Sequence, residues 1–127
     1  MLGLNLLVRL GRTFLAGPLA EFGILPATYY RHLALTAMEE DNYPEALGYL
    51  KWARDPVLVQ TLILRLRLLT ARHQRQRRGL LDLPASGLAP ERREIFRALL
   101  AQEEKALELL AGYQAAALEL LQENRRT

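Results

Sequence analysis

Residues 28–56 read TYYRHLALTAMEEDNYPEALGYLKWARDP, and this stretch decides the fold. Tyr30, Leu33 and Ala34 recur at helical spacing and share one face. Asp41-Asn42 interrupts the pattern, and Tyr43-Pro44-Glu45 restarts it, with proline in a first turn that does not need its missing N–H. Ala46, Leu50 and Ala53 then mark a second inner face. Small side chains at Ala34, Ala46 and Ala53 allow two helices to approach closely. Tyr30, Leu33, Tyr43 and Leu50 fill the space that remains. The stretch therefore predicts a helical hairpin over residues 27–56.

Composition carries the helical reading to the rest of the chain. Half of the residues are hydrophobic, Leu and Ala dominate, and only three Phe occur. That balance favours helices packed on helices. At 127 residues the length suits one domain of modest core. The predicted class is all-α, a bundle of about five helices. Its parts are an N-terminal helix within 1–18, the hairpin, a central helix over 56–78, a loop over 79–89 and a long C-terminal helix over 90–124.

The hairpin resembles the tetratricopeptide repeat, a helix–turn–helix unit of about 34 residues. Tyr30 stands where the family has tryptophan, Leu33 at its leucine, Ala34 at its first small position and Tyr43 at the turn aromatic. Ala46 and Ala53 match its two alanines. Leu50 replaces the usual aromatic, Ala37 a tyrosine, and Pro56 arrives about two residues early. The unit is not repeated 34 residues on, where Leu64, Arg67, Leu68, Arg77 and Leu80 depart from the pattern. The resemblance implies protein or peptide binding. A lone repeat must also have its apolar face covered by flanking helices or a partner.

Residues 2–16, LGLNLLVRLGRTFLA, carry a wide apolar arc that includes Leu6, Leu10 and Phe14, and a narrow polar strip of Asn5, Arg9, Arg12 and Thr13. Three settings suit such a helix: the interior of the fold, a partner subunit, or a membrane surface, where Arg9 and Arg12 would meet anionic headgroups. A cleaved signal peptide is not expected, because no basic residue precedes the apolar run. No charge-free stretch approaches the ~20 residues of a membrane span. The expected location is cytoplasmic, with the membrane surface as an alternative.

The segment PVLVQTLILRLRLLTARHQRQRR, residues 56–78, is apolar on nearly every side at first, which predicts the most buried helix. It then turns basic through Arg72, Arg75, Arg77 and Arg78, and no acid falls between Asp55 and Asp82. Gly79 is a natural helix stop. In the last helix, Leu99, Ala106, Tyr113 and Leu120 recur every seventh residue beside Leu100, Leu107, Gln114 and Leu121. Glu103 and Gln114 interrupt this stripe. It suits either the domain's own core or a coiled-coil seam, including one for self-association.

Chemistry is hard to place anywhere. The chain has no cysteine, and His32 and His73 have no partner at metal-ligand spacing. No phosphate loop, nucleophile elbow or zinc-protease signature occurs. Glu39, Glu40 and Asp41 crowd one turn, where catalysis lacks held geometry. Neither catalysis nor a cofactor or metal is expected.

What remains is a non-catalytic interaction module, an accessory or adaptor subunit whose partner is another protein. The residues assigned to that contact are Leu6, Leu10, Phe14, Tyr49, Trp52, Leu107 and Tyr113. Two alternatives accompany it. One is a peripheral membrane protein held by residues 2–16 and helped by Arg9, Arg12, Arg72, Arg75, Arg77 and Arg78. The other is a nucleic-acid binder using the 72–78 tract, which ranks behind because no stacking aromatic lies near that tract.

Overall fold

A computed structural model describes residues 25–83 and 87–126. Among these residues the fold is all-helical, with four helices: α1 Ala27–Glu39, α2 Tyr43–Ala53, α3 Pro56–Asp82 and α4 Pro90–Arg126. The helix expected over residues 2–16 lies outside the described residues. The chain divides into two compact units. One comprises Met1–Ile63 with Ala116–Thr127, the other Leu64–Ala115.

The first unit is built on the α1–α2 hairpin, and its turn is chemically specified. After α1, Asp41 takes the left-handed conformation at φ 56°. Its N–H donates to the Met38 carbonyl at 3.1 Å, and the Asn42 N–H donates to the Ala37 carbonyl at 2.8 Å, so the last carbonyls of α1 are satisfied. The same Asn42 caps α2. Its side-chain oxygen accepts from the Glu45 N–H at 3.4 Å, while its amide donates to Glu45 Oε2 at 2.6 Å. Tyr43 and Tyr49 lock this turn from both sides. Tyr43 OH donates to Asp41 Oδ1 and Tyr49 OH to Glu45 Oε1, each at 2.8 Å.

The residues that predicted the hairpin are its core. Tyr30, Leu33, Ala34, Ala46 and Leu50 are fully buried, and Tyr43 and Ala53 nearly so. Across the two helices the Tyr30 and Tyr49 rings meet at 6.4 Å between centroids, tilted by 41°. That is a favourable aromatic geometry. Tyr49, one of the residues assigned to a partner contact, is therefore an interior residue, 9% exposed, in the folded chain. The start of α3 adds Val59, Leu62 and Ile63 to the buried set of this unit, and the end of α4 adds Ala117, Leu120 and Leu121.

The turn into α3 is equally explicit. Arg54 adopts the left-handed conformation at φ 50°, which ends α2. Asp55 Oδ1 then accepts from the Val57 and Leu58 N–H groups at 3.1 and 3.3 Å, with Pro56 opening the helix.

α3 departs from expectation in two ways. It continues through Gly79 to Asp82. A glycine ends a helix when the chain takes a left-handed turn there, and no such turn occurs at Gly79. The inner column of Leu66, Thr70, His73 and Arg77 reaches one step further to Leu80, which is half-buried. Continuing that face outweighs the roughly 1 kcal/mol an interior glycine costs a helix. Nor is α3 buried on all sides. Val59, Leu62, Ile63 and Leu66 point inward, whereas Val57, Leu64 and Leu68 stand in solvent.

Candidate protein interaction surface

Within the second unit, α3 and α4 are linked by polar side chains more than by a greasy core. Among the described residues between Leu64 and Ala115, only Leu66 and Leu110 are buried. Gln114 Nε2 donates to Thr70 Oγ1 at 2.6 Å, and the Thr70 hydroxyl donates onward to the Leu66 carbonyl at 2.8 Å. His73 Nδ1 lies 2.5 Å from Glu103 Oε2, and Arg77 Nε lies 3.6 Å from Glu104 Oε1. The first contact is partly sheltered, whereas the second is between exposed groups and contributes little.

These contacts explain the two interruptions in the α4 stripe. Glu103 and Gln114 break an apolar register because they face polar partners on α3 of the same chain. The column they belong to, 103–107–110–114, is the seam against α3. Leu107 is half-buried within that column. Its assignment to another chain, and self-association along this column, compete with the contact already made. Tyr113 lies beside the same seam, also half-buried. Paired polar layers of this kind fix helix register, since any slip would strand their donors and acceptors.

Several large apolar side chains of this unit stand in solvent. Leu68 is 72% exposed, Ile95 61%, Leu64 59% and Leu99 44%, and Leu81, Leu83 and Leu109 are about half exposed or more. Single exposed leucines are ordinary, but contiguous ones mark contact surfaces. Leu64 and Leu68 are one turn apart on α3, opposite Leu66, with Ala71 continuing the column. The sequence pattern counts Leu64 among the inner residues of this helix and leaves Leu68 unassigned. The signal that finds them is a second period in the same segment. Val57, Thr61, Leu64, Leu68 and Ala71 recur at alternating steps of four and three, behind the column that Val59, Leu62 and Leu66 occupy.

The remaining candidates divide plainly. Leu6, Arg9, Leu10, Arg12 and Phe14 lie outside the described residues. Trp52 is half-exposed, with the Lys51 ammonium 5.2 Å from its ring centre, so it remains an available aromatic at the edge of the hairpin. In the basic tract, Arg77 is engaged by Glu104 and His73 by Glu103, while Arg72, Arg75 and Arg78 are exposed. No Phe, Tyr or Trp accompanies them between positions 64 and 83. His32 is half-buried in α1. Among the described residues, no group of His, Asp and Glu is arranged to hold a metal ion, and no helix is long and apolar enough to cross a membrane.

No family model, curated protein or solved structure matches the chain.

Proposed function

We propose that the chain is a non-catalytic protein–protein interaction module, an accessory or adaptor subunit that works as part of a larger assembly. One observation carries this reading: the Leu64–Ala115 unit buries two leucines and leaves Leu64, Leu68, Ile95 and Leu99 in solvent. A pair of helices with so little core gains most of its stability from what covers it. Burying a leucine contributes about 1.5–3 kcal/mol, so covering these side chains is a strong drive for association. Tyr30, Leu33, Ala34, Tyr43, Ala46 and Ala53, the positions that resemble a tetratricopeptide unit, are all buried, as in any closely packed helical hairpin.

The test is the native mass of the chain purified from its own cells. The expected result is a stable species heavier than one chain that contains other polypeptides and persists without detergent. A monomer, with and without detergent, contradicts the proposal. Release of the chain only by detergent favours the membrane alternative, which rests on residues 2–16.

A further inference from the structure

We propose that the outer face of α3 over residues 64–75 docks an acidic amphipathic helix supplied by a partner protein. The inference rests on the interaction-module reading and names the chemistry of the partner. Leu64, Leu68 and Ala71 sit at heptad spacing on the exposed side of α3, with Leu64 59% and Leu68 72% exposed. Alternating steps of four and three form the seam of helix-on-helix packing, where each side chain enters a hole between four residues of the facing helix.

The flanks decide what kind of helix fits. Arg67 and Arg72 border the seam on opposite sides, and Arg75 continues its column. All three are exposed. No acid occurs between Asp55 and Asp82, so every charge over residues 64–75 is positive. The positions beside a helix seam select partners by charge. A second copy of α3 would set arginine against arginine and is disfavoured whichever way it runs. A helix with leucines at matching spacing and Glu or Asp at its flanks would gain both the apolar contact and charge-assisted hydrogen bonds to the guanidinium groups.

The width of the apolar strip separates a helix from a lipid surface. At ~100° per residue, Arg67 and Arg72 confine Leu64, Leu68 and Ala71 to an arc of about 140°. Arg75 then occupies the centre of that arc one turn further on. A helix lying in a membrane surface presents an unbroken apolar side. A two-column strip closed by an arginine suits the narrower seam of a helix pair.

The experiment uses the full chain and two synthetic helical peptides of four heptads. Both carry leucine at the seam positions; one carries glutamate at the flanks and the other lysine. Binding is measured by titration calorimetry at low and high salt, with vesicles of anionic lipid as a third probe. The Glu-flanked peptide should bind at least about tenfold more tightly than the Lys-flanked one, and salt should narrow the gap. Leu68→Asp should abolish binding. Arg67→Glu with Arg72→Glu should reverse the preference.

Equal affinity for both peptides, no affinity for either, or tighter binding to vesicles than to the Glu-flanked peptide overturns the proposal. So does binding that survives Leu68→Asp. The native mass of the Arg67→Glu, Arg72→Glu chain in its own cells keeps the two readings apart. If the wild-type chain assembles and this variant assembles equally well, the acidic-helix inference fails while the interaction module stands. If the wild type does not assemble, the module reading itself fails.

Discussion

Tyr30→Ala should cost the folded chain about 3–5 kcal/mol, the range for removing a large buried aromatic. Total stabilities of domains this size are about 5–15 kcal/mol, so the variant should lose a large part of its folded population on modest heating. The reason is position. Tyr30 is fully buried, its ring meets that of Tyr49 across the hairpin, and its hydroxyl accepts the Leu25 N–H at 3.4 Å. Truncation leaves a cavity between helices brought close by alanines, whose short side chains offer little to fill it. Chemical denaturation followed by circular dichroism measures the effect. A loss below about 1 kcal/mol would show that the hairpin does not hold the first unit together.

The second large effect is on association instead of folding. Leu64→Asp with Leu68→Asp should change the stability of the purified chain by about 1 kcal/mol or less, because both side chains are already in water. The carboxylate introduced by Leu68→Asp would also stand four residues before Arg72, a favourable helical pairing. In the native assembly the same variant should reduce affinity about a hundredfold or more, since two carboxylates would be buried where leucines belong. Denaturation of the isolated chain and the native mass of the assembly give the two numbers. A variant that unfolds instead would place Leu64 and Leu68 in a core.

Much of this architecture is legible in the sequence, and the reasons are local. The hairpin turn is written in Asp41, Asn42, Tyr43, Pro44 and Glu45, whose capping contacts involve neighbours within a few residues. Tyr30, Leu33, Ala34, Ala46, Leu50 and Ala53, the centre of the α1–α2 contact, follow from helical periodicity. α3 resists the same treatment because it carries two apolar columns. Periodicity shows that Leu62 and Leu66 share one side and that Leu64 and Leu68 share the other, but it does not say which side a helix neighbour covers. An all-round apolar helix and a helix with one buried and one docking face share a pattern.

Tyr49 illustrates a different obstacle. Its position on the α2 wheel lies to one side of Ala46 and Leu50, which suggests an exposed flank. The tyrosine is long enough to turn its ring onto Tyr30 while its hydroxyl reaches Glu45 one turn earlier. Glu103 and Gln114 make the converse case. As sequence they are flaws in an apolar stripe. Their meaning depends on His73 and Thr70, 30 and 44 positions away, which local pattern reading does not join.

If the outer face of α3 is a contact surface, amide hydrogen exchange across residues 64–71 registers its coverage. Exchange reports local opening, which is easy in a helix pair with few buried leucines. Between the isolated chain and its native assembly, exchange at 64–71 should slow by about tenfold or more, while the α1–α2 hairpin should change little. Unchanged exchange at 64–71 in an assembly that protects another part of the chain would contradict it.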